Sequence, residues 1–130
     1  MDHTILVVED EKGIREAIQI YLKNQGYHVF LAENGQEGLE IANRETIHLA
    51  VVDIMMPVMD GLIATKTIRS LERQDAKTIP IIAMTANAFR EDAEKCMEAG
   101  MNAHLAKPLD DEKIKQTISE ELRKQNACHE

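Results

Sequence analysis

Glu9, Asp10 and Asp53 offer carboxylates, Thr85 offers a hydroxyl and Lys107 an ammonium group. Each alone is ordinary: a single aspartate after an apolar run is most simply a helix cap or a solvated loop acid. Gathered in one place, they describe specific chemistry. Carboxylates brought together repel one another, so a cation must sit among them or one must keep a proton. Hard oxygen donors favour Mg²⁺, which takes one or two carboxylates, several waters and a phosphate oxygen. A lysine adds a point charge suited to phosphate, and a threonine adds a donor. Such a set suits a phosphoryl group, and a carboxylate can itself be the nucleophile, giving an aspartyl phosphate. The protein then has only to position groups and neutralise charge.

Whether these residues meet depends on the elements that carry them. Ile5-Leu6-Val7-Val8 is a continuous apolar run, the pattern of a strand covered on both faces, and it stops at Glu9-Asp10-Glu11. A helix follows with Ile14, Ala17, Ile18, Tyr21 and Leu22 at helical spacing, closed by Gly26. Residues 27–32 form a second strand, whose polar His28 fits a sheet edge. Asn34-Gly35 makes a turn, and a helix over 36–44 carries Leu39, Ile41 and Ala42. His48-Leu49-Ala50-Val51-Val52 is the third strand and ends in Asp53. Pro57 and Asp60-Gly61 supply turn chemistry, and Asp60 caps a helix through Ile63, Thr67, Ile68 and Leu71.

The fourth strand, 79–84, ends at Thr85; a helix over 90–99 is closed by Gly100. The fifth, 103–106, ends at Lys107-Pro108. The last helix carries Ile114, Ile118 and Leu122, with Asp110 and Asp111 in its first turn and Arg123 and Lys124 in its last. One domain over 1–124 and a short polar tail over 125–130 are expected. Strand and helix alternate throughout, which argues an α/β fold: a parallel sheet with helices on both faces. In such a sheet all strand ends of one kind lie on one edge, so the five polar residues converge although far apart in sequence.

Composition narrows the partners. The chain has 130 residues, 44% hydrophobic and 29% charged, as expected for one globular domain with a core. Its net charge of −8 disfavours direct nucleic-acid binding, which needs a basic face. No apolar run is long enough to span a bilayer and residues 1–4 lack the features of a signal peptide, so a cytoplasmic domain without direct membrane contact is expected. Cys96 and Cys128 suggest neither a disulfide framework nor a metal site. Met56, Met59, Met84, Met97 and Met101 read as core filler.

Val7-Val8-Glu9-Asp10-Glu11, Val52-Asp53-Ile54-Met55-Met56-Pro57-Val58-Met59-Asp60-Gly61, Ala83-Met84-Thr85-Ala86 and Ala106-Lys107-Pro108 occur in this order. On these motifs the chain resembles a response-regulator receiver domain over essentially its whole length. The resemblance implies a flavodoxin-like (βα)5 three-layer sandwich with sheet order 2-1-3-4-5. It implies that Asp53 is the phospho-acceptor, Asp10 a direct Mg²⁺ ligand, Glu9 an outer one, and the Met55 carbonyl a further metal contact. Lys107 would hold the phosphoryl oxygens, and Thr85 would bond another and swing inward on phosphorylation. Ala86, being small, would leave the phosphoryl group access, and Lys107–Pro108 would be cis. Met55 and Asn87 flank the site without offering a general base, which predicts slow to moderate self-dephosphorylation.

The chain departs from the pattern twice. His104 stands where many receivers place Tyr or Phe to couple the threonine movement to the output face. Either it keeps that switch role or it is a surface histidine at a strand end. Glu9 stands where many have Asp, a common variant that leaves metal binding intact.

The expected function is a phospho-accepting switch or relay in a two-component system. Its partner would be a histidine kinase or a histidine phosphotransfer protein, and a homodimer is left open. The stretches Ile81-Ile82-Ala83-Met84-Thr85-Ala86-Asn87-Ala88-Phe89 and Gly100-Met101-Asn102-Ala103-His104-Leu105-Ala106-Lys107-Pro108 look most like receivers fused to hybrid sensor histidine kinases. The alternative is a stand-alone regulator acting through a protein partner. A phosphatase-type enzyme with an Asp nucleophile is disfavoured, because such enzymes usually carry a second Asp where this chain has Met55. A dinucleotide-binding module is disfavoured because no G-x-G-x-x-G follows the first strand.

Overall fold

The computed structural model describes residues 3–53, 61–70, 79–85, 97–106 and 111–128. The elements are β1 (Thr4–Val8), α1 (Lys12–Asn24), β2 (His28–Ala32), α2 (Gly35–Arg44), β3 (Leu49–Asp53), α3 (Gly61–Arg69), β4 (Ile81–Thr85), β5 (Ala103–Ala106) and α4 (Asp111–Cys128). The strands form one sheet of order β2-β1-β3-β4-β5, every pair parallel. The expected order holds, and exposed His28 lies on the edge strand β2.

Strand alternation divides the core in two. Leu6, Val8, Ala50, Val52, Ile81 and Ala83 face one way and pack with Ile41 and Ala42 of α2 and Ile68 of α3. Ile5, Val7, Leu49, Val51, Ile82 and Met84 face the other, against Ile18 and Leu22 of α1 and Ile114, Ile118 and Leu122 of α4. Both faces of β1 and β3 are therefore covered, which is why these strands are apolar without interruption.

Helix ends depart from the sequence expectation in instructive ways. Asn34 does not make a turn with Gly35; its side chain accepts from Glu37 N–H at 2.8 Å and caps α2, which begins at Gly35. Gly38 lies so close to β1 that an added Cβ would come within 2.8 Å of Val8 Cγ2. Gly26 and Gly100 take positive φ, 91° and 104°, just where the chain must turn out of helical conformation. In α1 the spacing places Ala17 inward, but Ala17 is exposed and Arg15 is buried in the stripe with Ile18 and Leu22. Helix α4 runs to Cys128, beyond Lys124, so residues 125–128 continue the helix where a polar tail is expected. Met84 and Met101 are core residues as expected, whereas Met97 is exposed; Met56 and Met59 lie outside the described residues.

Arg69 fastens the opposite end of the sheet. It donates to Ile79 O at 2.7 Å, to Gly100 O at 2.7 and 3.0 Å, and to Asn102 Oδ1 at 2.9 Å. Burial pushes its guanidinium pKa below the ordinary value, and these acceptors are the compensation for a half-buried charge. Asn102 is itself bound to β4, accepting from Ile81 N–H and donating to Ile81 O.

Candidate functional site

The register brings the acids together. Val8 pairs with Val52, so the next residues, Glu9 and Asp53, stand side by side at the carboxyl edge. Asp53 in turn pairs with Met84, the residue before Thr85, and Thr85 pairs with Ala106, the residue before Lys107. The carboxyl edge thus gathers the ends of β1, β3, β4 and β5 along one side of the sheet.

Glu9, Asp10 and Asp53 offer carboxylate oxygens that all lie within 4.8 Å of one another. Glu9 is fully buried, Asp53 is 3% exposed, and Asp10 opens to solvent. Buried carboxylates crowded against a third are unfavourable unless positive charge joins them. Their hard oxygen donors, with one side open, are the donor chemistry of a Mg²⁺ site, so these residues fit that ion.

Among the other expected residues, Thr85 is the last residue of β4. His104 lies on β5 in register with Ala83 and is exposed. Met55, Ala86, Asn87, Lys107 and the Lys107–Pro108 peptide lie outside the described residues. One residue near the acids went unforeseen by sequence. Arg15 is nearly buried and donates from Nη1 to Glu9 O at 2.9 Å and Asp10 O at 3.4 Å. Its five-residue spacing from Asp10 was the available signal, since a helix entered at Lys12 turns that position back toward the loop.

The family model described as the response regulator receiver domain matches residues 5–119. The chain belongs to this family. The receiver is 35% identical over 129 residues to the sensor histidine kinase RcsC of Salmonella typhi, covering 97% of this chain and 13% of the kinase. The chain thus spans about an eighth of the length of that relative. It is 38% identical over 106 residues to an uncharacterized 14.6 kDa protein of Leptolyngbya boryana, covering 82% of this chain and 79% of that one. The receiver domain of the Pseudomonas aeruginosa sensor histidine kinase PA1611 superposes with a TM-score of 0.85 at 34% identity, covering 94% and 98% of the two chains. That structure holds a magnesium ion coordinated in its active-site cleft. The receiver is therefore a domain of two-component signalling, homologous to receivers of sensor histidine kinases. Among its described residues, no helix is long and apolar enough to cross a membrane.

Proposed function

We propose that this receiver takes a phosphoryl group from a phosphohistidine onto Asp53, and that it serves a hybrid sensor histidine kinase. The observation that carries the reading is the convergence of Glu9, Asp10 and Asp53 within 4.8 Å at the carboxyl edge of the sheet. Asp10 and Asp53, the Met55 carbonyl and, through the outer shell, Glu9 would hold Mg²⁺. The ion, when bound, supplies the positive charge that the acids and the phosphoryl oxygens need.

The chain's own residues do the rest. An Asp53 carboxylate oxygen attacks phosphorus as the bond from phosphorus to the imidazole nitrogen breaks; the imidazole leaves and the aspartate becomes an acyl phosphate. Burial of Asp53 and Glu9 excludes bulk water from this side of the site. Lys107 is assigned to the phosphoryl oxygens, and Thr85 to a hydrogen bond that moves it inward once the group is in place. His104, exposed on β5, is assigned to carrying that movement to the surface.

Similarity to RcsC and to the PA1611 receiver supports the hybrid-kinase reading, with onward transfer to a histidine phosphotransfer protein. The Leptolyngbya protein, matched over most of its own length, supports the second reading, a stand-alone regulator acting by protein binding. Incubation with a small phosphodonor and Mg²⁺, followed by intact-mass measurement, tests the chemistry. One added phosphoryl group is expected, and it disappears in Asp53→Asn. No modification of the well-folded wild type would overturn the assignment. Transfer to phosphotransfer proteins separates the two readings: the hybrid reading requires it, and failure with every such partner favours the second.

A further inference from the structure

We propose that Arg15 is a positioning residue for the acid cluster, clasping the backbone that aims Glu9 and Asp10 at Asp53. The inference rests on the reading of these acids as a Mg²⁺ site. Glu9 and Asp10 sit in the short loop between β1 and α1. Glu11, at the N-cap of α1, makes no side-chain capping bond, so the usual device for fixing such a loop is missing. The Glu9 N–H is tied to Ala32 O of β2 at 3.1 Å. The two carbonyls are held from the helix: Arg15 Nη1 reaches Glu9 O at 2.9 Å and Asp10 O at 3.4 Å. These are consecutive peptide oxygens, so the clasp fixes the turn between the residues whose carboxylates must meet.

The cost of the arrangement argues for a purpose. A guanidinium with only 10% of its side chain exposed gives up most of its hydration. Its Nη2 faces Glu33 Oε1 at 3.5 Å, but Glu33 is 67% exposed, and such an open carboxylate compensates little. Both carbonyl bonds come from Nη1, the one to Glu9 O at 2.9 Å being the stronger, while Nη2 on the other arm of the planar guanidinium meets Glu33. A lysine would bring one compact ammonium and could not keep the same set.

The clasp acts on the metal ligands through the backbone, as outer groups do in metal sites, where their loss weakens binding about 10- to 100-fold. Calorimetric titration with Mg²⁺, alongside an amide NMR spectrum, is the test. Arg15→Met is expected to keep the amide pattern of β3, β4 and α4, shift the amides of residues 9–11, and weaken Mg²⁺ binding about tenfold or more. Arg15→Lys is expected to fold and to lose a smaller part of the affinity. Glu33→Gln keeps the carbonyl bonds and is expected to bind Mg²⁺ as the wild type does. Wild-type affinity in folded Arg15→Met overturns the proposal. If Arg15→Met fails to fold, Arg15→Lys decides: reduced affinity supports the clasp and wild-type affinity overturns it. A tenfold loss in Glu33→Gln would move the role to the ion pair and also overturn it. A wild type that takes up no Mg²⁺ would overturn the metal reading itself, a distinct outcome from equal affinities in wild type and variant.

Discussion

The two edges of the sheet gather polar residues by the same topology and put them to opposite uses. At the carboxyl edge, Glu9, Asp10 and Asp53 are brought within 4.8 Å of one another, like charge against like. At the amino edge, three histidines stand at or just before the strand starts: His3 before β1, His28 in β2 and His48 before β3. There the strands are stitched together. His48 Nδ1 accepts from Thr4 N–H at 2.9 Å, its own N–H donates to Thr4 O, and His28 N–H donates to His3 O. The His3 and His48 rings meet edge to face at 5.3 Å. Further along this edge Arg69 binds backbone carbonyls near the entries to β4 and β5. Convergence at a sheet edge is thus not by itself a site. At the amino edge the bonds of His48 and Arg69 go mainly to backbone groups, whereas the carboxyl edge brings three carboxylates within 4.8 Å of one another.

The largest test of this division is at Asp53. Asp53→Asn should abolish phosphoryl uptake in an intact-mass assay, while His48→Ala should be modified to the wild-type extent; a silent His48→Ala would erase the contrast. Next in size is Arg69→Met. It removes donors from Ile79 O and Gly100 O and should lower unfolding free energy by about 3 kcal/mol in urea titrations, with phosphorylation intact where the protein is folded. Third, Mg²⁺ at ten times its dissociation constant should stabilise the wild type by about 1.4 kcal/mol. That gain should largely vanish in Asp10→Asn and persist in His48→Ala. Smallest is His48→Ala itself, which should cost about 1 kcal/mol for the unmet Thr4 N–H. Its effect should add to that of Asp10→Asn within about 0.5 kcal/mol, because the edges are separated by the length of a strand, roughly 15 Å. Strong coupling between them would show that the edges are not independent.

Much of this was legible in the sequence because the signals were local and repeated. Ile5 to Val8 and Leu49 to Val52 are unbroken apolar runs since both their faces are covered, and the acids after them mark where the cover ends. The edge position of β2 showed in His28. Features that depend on contacts between distant segments were not legible. Helical spacing favours Ala17 over Arg15 as a buried residue, because period alone does not know that Arg15 finds backbone carbonyls of the β1–α1 loop beside the apolar stripe. Asn34-Gly35 suits a turn and a helix cap equally, and the bond to Glu37 N–H decides. The extent of α4 escaped because the apolar pattern stops at Leu122 while good helix formers continue to Cys128. Asn102 and Arg69 lie 33 residues apart and carry no pattern that joins them.

Asn102 does more than neighbour Arg69. Its backbone N–H donates to Ile81 O while its side chain accepts from Ile81 N–H, so one residue closes both hydrogen bonds of a ladder step just ahead of β5. The entry to β5 is thereby latched to β4 by a side chain acting as a peptide group, and Arg69 ties the latch to α3. In amide hydrogen exchange, the Ile81 N–H can meet solvent only when this latch releases. The starts of β4 and β5 are therefore expected to exchange together, and Asn102→Ala should release the Ile81 amide first.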